Sequence, residues 1–154
     1  MADLRNPDAL TRMQADFDRQ GVMATLGVTV ADIAPGHVTL TLPFRADLTQ
    51  HHGFLHAGVI TTVMDSAAGF AAFTLMDAEA EVLTAEFKAS FLAPARGQSF
   101  RMVGEVIKSG RTLTFVEAKA FALDADRETL IATLTATMMS VRNPALRTPD
   151  AGTP

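Results

Sequence analysis

The sequence contains no cysteine, which excludes disulfide bonds, thiolate metal ligands and a cysteine nucleophile. It also lacks an excess of positive charge, because the formal net charge is −4. Nothing in the composition therefore attracts a polyanion, and no nucleic-acid partner is expected. A phosphate-bearing ligand would have to meet a local cluster of basic side chains. The absence of cysteine fits a reducing cytoplasm, which is the expected location.

The first 20 residues carry charges throughout and lack the apolar core of a signal peptide. A length of 154 residues predicts one domain over 1–154. Within it we expect an N-terminal helix (1–20), a core (21–141) and a flexible tail (142–154), the last being rich in Pro, Gly and Thr.

A long charge-free hydrophobic run is also missing. Residues 54–76 come nearest, but they contain His56, Asp65, Ser66 and three threonines. A membrane span needs about 20 mainly apolar residues, and a central aspartate disfavours insertion. The stretch is therefore predicted to be a buried helix, and no membrane partner is expected.

The apolar pattern predicts an α+β fold with one long helix set among strands. Residues 7–20 have the pattern of a short amphipathic helix that stops at Gly21. The long helix is predicted over 55–76. Strands are predicted over 26–34 and 37–44, paired as a hairpin around a Pro-Gly turn, and over 81–94, 98–108, 111–123 and 129–141. Short connections favour antiparallel neighbours, so we expect about six strands curved around the helix.

The long helix has two unlike faces. At 100° per residue, its bulky residues form one continuous side. The opposite side is small and weakly polar, and it carries Thr62, Ser66 and Gly69 around a single carboxylate, Asp65. This side is either a close-packing surface or a small cleft whose surroundings tune the pKa of Asp65.

The start of this helix is a candidate anion site. Gly53 and Gly58 flank His56, where the backbone N–H groups of a first helical turn lack partners and can stabilise negative charge. Such donors and a nearby carboxylate are the groups that acyl-transfer hydrolysis needs. Gly58 and Asp65 are separated by a rise of about 10 Å, so a bridging water or a second copy of the chain would have to connect them.

Other site types have weaker support. His52 and His56 have i, i+4 spacing, but no third local ligand and no HExxH pattern completes a metal site. Ser66 beside Asp65 lacks a nucleophile-elbow pattern. Glycine-rich phosphate loops are absent, and we expect no metal and no cofactor.

Over about residues 20–141 the chain resembles the hotdog-fold acyl-CoA thioesterases, in particular the PaaI-like branch. The resemblance depends on an ordered set of segments: "QHHGFLHAGV", "MDSAAGFAA", "TAEFKASFLAPARG", "GEVIKSGRTLTFVEAKAF" and "LIATLTATMM". It implies a hotdog fold, hydrolysis of a small, medium-chain or aromatic acyl-CoA, and coenzyme A as part of the substrate. It also implies a homo-oligomer, either a dimer or a dimer of dimers, with active sites at the subunit interface.

The resemblance also implies roles for individual residues. Asp65 matches the carboxylate that activates water or attacks the thioester, and Thr84 matches a position that orients the water. Ala57 stands where the family has glycine, with a backbone N–H that polarises the carbonyl alongside Gly58. His56 matches the motif histidine that shapes the turn, and Gln50 replaces the more usual asparagine.

The remaining candidates concern the two parts of the substrate. Lys88, Arg96, Lys108 and Arg111 could meet the coenzyme A phosphates, with Arg111 the first choice. Gly53 and Thr62 are candidate substrate contacts, and Phe54 belongs to an apolar strip with Leu55, Phe70, Phe73 and Met76. Two alternatives remain open: a hotdog hydratase or dehydratase with His52 or His56 as base, and an acyl-CoA-binding protein without activity.

Overall fold

The computed structural model of the protein describes residues 6–146. Its helices are α1 (Ala9–Asp18), α2 (Gly21–Leu26) and α3 (Ala57–Phe73), and single 3-10 turns lie at Ala46–Leu48 and Pro144–Leu146. Its strands are β1 (Thr29–Ala34), β2 (His37–Pro43), β3 (Glu81–Phe91), β4 (Ser99–Ser109), β5 (Leu113–Asp124) and β6 (Arg127–Val141).

The six strands form one antiparallel sheet in the order β1-β2-β4-β5-β6-β3. α3 packs against five of these strands, β2 to β6, so the prediction of an antiparallel sheet around one long helix is confirmed. In β6 the buried Leu134, Ala136 and Met138 alternate with more exposed threonines, so one face of the strand belongs to the core. The sheet ends at β1 on one side and at β3 on the other.

The expectation that short connections join neighbouring strands is wrong for β3 and β4. β3 pairs with β6, and β4 lies three strands away between β2 and β5. Three strand spacings amount to about 14 Å, whereas the seven-residue connection 92–98 can span about 25 Å when extended. On its way this connection is held by the carbonyl of Ile131 and by a bond from the Leu55 N–H to the Ala95 carbonyl.

The N-terminal prediction also needs correction. Gly21 does not simply stop one helix; it begins α2, while extended backbone at Gln20 separates α1 from α2. α2 forms because Met23 and Leu26 point into the core and Gly27, at φ +77°, ends the helix in the left-handed conformation. The first strand therefore starts at Thr29 rather than at residue 26.

α3 is shorter than the predicted 55–76, and its two halves differ in burial. Thr61, Thr62, Asp65 and Ser66 are partly exposed, whereas the turns from Ala67 onward are buried on every side. α1 covers the C-terminal half, with the Phe17 and Phe70 ring centroids 6.0 Å apart. The weakly polar face is thus more exposed around Asp65 than beyond Ala67.

Two predicted segments extend beyond the described residues. Residues 1–5 of the predicted N-terminal helix (1–20) and residues 147–154 of the predicted tail (142–154) lie outside the described range. Across residues 6–146, no helix has the length and hydrophobicity needed to cross a membrane.

Candidate active site

Asp65 and Thr84 face each other between α3 and the edge strand β3. The Thr84 hydroxyl donates a 2.9 Å hydrogen bond to Asp65 Oδ1. A bulge between Thr84 and Glu86 interrupts the pairing of β3 with β6 at this point, and bulges of this kind redirect neighbouring side chains. Burial raises the pKa of Asp65 above its ordinary value, and the bond from Thr84 acts in the opposite direction. The site thus holds a half-buried carboxylate with an increased affinity for protons.

Two depressions meet at Asp65. The outer one, of about 280 Å³, extends toward α2 and is lined by Gln20, Val22, Thr61, Thr62, Asp65, Ser66 and Phe87. The inner one, of about 100 Å³, is lined by Gln20, Asp65, Ser66, Gly69, Phe70, Val82 and Thr84. The structure therefore brings together three of the predicted site residues, Asp65, Thr84 and Thr62, in a space open to a small ligand.

The start of α3 is organised by His56. The ring Nδ1 of His56 accepts a 2.9 Å hydrogen bond from the Gly58 N–H and so caps the helix. The backbone N–H of His56 donates to the Leu48 carbonyl. The Gly58 N–H is thus already engaged. Among the described residues the Ala57 N–H has no acceptor, which leaves it as the donor that this helix end can offer.

The preceding loop has a tight turn built by Gln50 and Gly53. The Gln50 side-chain oxygen accepts from the His52 N–H, and the Gly53 N–H donates to the Gln50 carbonyl at 2.9 Å. Gly53 has φ +80°, a conformation that favours glycine. Phe54 packs beneath Arg96, whose guanidinium carbon lies 5.0 Å from the ring centroid. These loop residues line neither depression at Asp65.

The predicted residues therefore form two groups within one chain. Ala57 and Asp65 lie on the same helix, eight residues apart, which corresponds to a rise of about 12 Å. A single carbonyl group cannot contact both the Ala57 N–H and the Asp65 carboxylate at that separation.

The predicted cations lie apart from Asp65. Arg111 shares a depression of about 240 Å³ with Thr112, Ser140 and Arg142, and the Arg142 guanidinium is paired with Asp77. Lys108 is exposed and pairs in register with Phe115. Neither residue lines a depression at Asp65.

Three residues at the site were not assigned to it from the sequence. Gln20, at the junction of α1 and α2, accepts a 3.2 Å hydrogen bond from the Ser66 hydroxyl. Gly69 lines the inner depression one turn beyond Asp65. The helical spacing of Ser66 and Gly69 from Asp65 was a usable signal, whereas no local pattern connects Gln20 with α3. In the part of the chain that the structure describes, no three His, Asp or Glu side chains converge to hold a metal ion.

Comparison with known proteins identifies the family. The thioesterase superfamily model matches residues 52–128. A "Putative esterase" of Halobacterium salinarum is 32% identical over 115 residues, which cover 71% of this chain and 76% of that protein. A "Putative esterase" of Saccharolobus solfataricus is 35% identical over 92 residues, or 60% of this chain and 65% of that protein. The aligned region thus spans slightly less than two thirds of the second relative.

Comparison with solved structures supports the same family. A thioesterase family protein from Silicibacter pomeroyi is 51% identical with a TM-score of 0.85, covering 86% of this chain and 98% of that one. The PaaI protein of E. coli, at 14% identity and a TM-score of 0.77, covers 87% of this chain and 94% of its own and supports the fold alone. The predicted hotdog fold is confirmed. Because the family model matches half of the chain and the Halobacterium relative exceeds 30% identity over most of its length, the chain belongs to the thioesterase superfamily, a family of hydrolases.

Proposed function

We propose that this protein hydrolyses the thioester bond of a small, medium-chain or aromatic acyl-CoA, releasing the free acid and coenzyme A. The observation that carries the proposal is Asp65, a half-buried carboxylate with a raised pKa, bonded to Thr84 beside a ligand-sized depression. Family membership supports hydrolysis, and the acyl-CoA substrate is our inference. Coenzyme A enters as part of the substrate, and the chemistry uses no cofactor.

In the proposed reaction Asp65 acts on the thioester carbonyl carbon. As a general base it removes a proton from water while the hydroxyl oxygen bonds to that carbon, and the C–S bond then breaks with the proton passing to the thiolate. As a nucleophile its carboxylate oxygen would bond to that carbon while the C–S bond breaks and the thiolate leaves to take up a proton, and water would then hydrolyse the mixed anhydride to the free acid and the Asp65 carboxylate. In both routes the carbonyl oxygen becomes negative and needs a donor, which is the Ala57 N–H in our proposal.

We further propose that the donor and the carboxylate come from two copies of the chain. The 12 Å rise between them argues for this, and so does the edge strand β3. β3 has 11 residues, and Leu83, Phe87 and Phe91 on it are 43–48% exposed. A long apolar edge of this kind favours pairing with another strand. Pairing of two β3 strands would join the sheets and bring α3 of the second copy toward Asp65, in a dimer or a dimer of dimers.

The basic test is release of free thiol from acyl-CoA. Asp65→Asn should lower kcat by about 10²–10⁴-fold, because the base or nucleophile is lost while the shape is kept. Asp126→Asn, in the exposed turn between β5 and β6, is the matched control and should match the wild-type rate. Undiminished hydrolysis by Asp65→Asn would remove Asp65 from the mechanism.

The shared site has its own test. Ala57→Pro deletes the proposed donor at the first position of α3, where helices accept proline, and His56 already has the extended backbone that precedes proline (φ −65°, ψ 136°). We expect a loss of about 10²–10³-fold in kcat, as for an oxyanion donor. Ala57→Gly keeps the N–H and serves as the control.

Co-expression of Asp65→Asn with Ala57→Pro then distinguishes the two arrangements. In a shared site each mixed dimer has one intact pair, so the mixture should recover about a quarter of the wild-type activity. If both groups came from one chain, the mixture would stay as inactive as its components.

Arg111 is proposed to bind the coenzyme A phosphates, and Lys108 lies three residues before it, near the end of β4. A guanidinium group suits phosphate oxygens. Arg111→Ala should raise KM for acyl-CoA but leave KM unchanged for the same acyl group on N-acetylcysteamine, which has no phosphate. An equal change with both substrates would argue against phosphate binding.

The hydratase alternative receives no support from the geometry. Its base would be His52 or His56, and His56 Nδ1 already accepts a hydrogen bond from the Gly58 N–H. An enoyl-CoA hydration assay separates this alternative from hydrolysis. Binding without hydrolysis is decided by the thiol-release assay.

A further inference from the structure

The inner depression at Asp65 continues along α3 toward α1. A third depression, of about 240 Å³, shares Gln20, Phe70 and Val82 with it and adds Phe73. We call the space between Gly69, Phe70, Phe73 and Val82 the α3–β3 groove. From Asp65 to Phe73 the helix rises by about 12 Å, so the groove is long enough for a short alkyl chain or an aromatic ring.

The groove changes character at its far end. Its middle is apolar at Gly69, Phe70, Phe73 and Val82. Gln20, Ser66 and Thr84 line the end at Asp65, and Asp16, Arg19 and Glu81 line the end beyond Phe73. Asp16 and Arg19 form an ion pair, and Glu81 is paired with Arg12 at 2.6 Å. An alkyl chain bound at this end would displace water from the charged side chains without providing new hydrogen bonds to them, which is unfavourable. The apolar part of the groove therefore has a limited length.

Gly69 forms part of the groove wall without a packing reason for being glycine. It lies inside α3 and is buried, where glycine destabilises a helix relative to alanine. A Cβ built at Gly69 meets no heavy atom within 4 Å. By contrast, a Cβ at Gly104 would lie 2.4 Å from the Ala67 carbonyl group. Gly104 is needed for close packing, whereas Gly69 leaves a space empty.

We propose that Gly69 determines which acyl groups this protein accepts. The missing side chain makes room beside Asp65 for an apolar chain or ring, and the charged end of the groove excludes long chains. The preferred substrates are thus medium-chain and aromatic acyl thioesters. This inference rests on the function proposed above and adds the residue that sets acyl size.

The experiment compares kcat/KM for acetyl-, hexanoyl-, phenylacetyl- and palmitoyl-CoA in the wild type, Gly69→Ala and Gly69→Leu. The wild type should prefer hexanoyl- and phenylacetyl-CoA over palmitoyl-CoA. Gly69→Leu should lower kcat/KM for these two by about 10–200-fold, a larger loss than for acetyl-CoA. Gly69→Ala, which adds one methyl group and favours the helix, should give a smaller shift in the same direction and covers the case in which the leucine variant does not fold.

Gly21→Leu is the matched control. A Cβ at Gly21 also meets no atom within 4 Å, but Gly21 lines none of the depressions at the site, so its acyl preference should equal the wild type's. Identical preferences in the wild type and both Gly69 variants would overturn the groove assignment while leaving hydrolysis established. If the wild type hydrolysed none of the four, the proposed function would fail. Equilibrium binding of hexanoyl-CoA would then test the groove: weaker binding by Gly69→Leu supports it, and equal binding overturns it.

Discussion

Gly104→Ala offers the sharpest test of how α3 is held against the sheet. An added Cβ would lie 2.4 Å from the carbonyl carbon and oxygen of Ala67 and 2.6 Å from the Ala68 nitrogen. Ordinary contacts are about 3.5–4 Å, and the obstacle is backbone rather than a movable side chain. α3 would therefore have to move away from β4 by about 1 Å along the whole contact.

Overpacking of this kind costs about 1–3 kcal/mol of unfolding free energy. For a chain of this size each kcal/mol lowers Tm by about 2–4 °C, so Tm should fall by about 2–12 °C. The assay is thermal unfolding at fixed protein concentration, since oligomers have a concentration-dependent Tm. Because Ala67 follows Asp65 by two residues, the shift should also weaken the Asp65–Thr84 bond and lower kcat.

Gly69→Ala is the control, because it adds the same methyl group to the same helix-sheet unit. Its Cβ meets nothing within 4 Å, so the gain in helix propensity should raise the unfolding free energy by about 0.5–1 kcal/mol. The reasoning predicts opposite signs for the two glycines. A Tm for Gly104→Ala equal to that of the wild type, or a fall of equal size in both variants, would refute it.

Three further predictions concern Asp65, Thr84 and Arg12. The raised pKa of Asp65 means that the folded protein binds more protons than the unfolded one between the ordinary value of 3.8 and the folded value, so stability falls as pH rises through that window. Asp65→Asn should therefore unfold at higher urea concentration than the wild type at pH 7, and the difference should vanish below that window; a lower midpoint at pH 7 would contradict it. Thr84→Val removes the hydroxyl that lowers the pKa of Asp65, so the acid limb of the kcat/KM profile against pH should move to higher pH. Thr84→Ser keeps a hydroxyl and should return the limb to its wild-type position. An unmoved limb in the valine variant would count against the Thr84–Asp65 hydrogen bond. The Arg12 guanidinium donates to the Ala78 and Ala80 carbonyls and to Glu81, so Arg12→Ala should lower the unfolding free energy, measured in urea, by about 1–3 kcal/mol. Arg12→Lys should give an intermediate loss, because an ammonium group lacks the planar fork of donors. Full stability in the lysine variant would show that the charge alone matters.

The helix and most strands could be predicted because their signals are local. Alternating apolar residues specify a strand with one buried face, and the two unlike faces of α3 follow from its 3.6-residue period. The position of Asp65 on the small face of α3 was visible in the same pattern. The capping role of His56 was not predicted, because the helix was expected to begin at residue 55 and it begins at Ala57.

The site required the fold because its parts are distant in the sequence. Thr84 reaches Asp65 only because β3 lies at the sheet edge beside β6. From the sequence, the short 92–98 connection instead predicted that β3 would pair with β4. Gln20 reaches Ser66 because α2 follows a break after α1. Neither contact has a local pattern.

The sequence by itself determined the elements, the carboxylate and the helix end, since side-chain period and capping act within a few residues. Only the tertiary structure decided the strand order, the engagement of the Gly58 N–H and the empty space beside Gly69. Those features depend on which surfaces meet across the core, and that is settled by packing between segments up to dozens of residues apart.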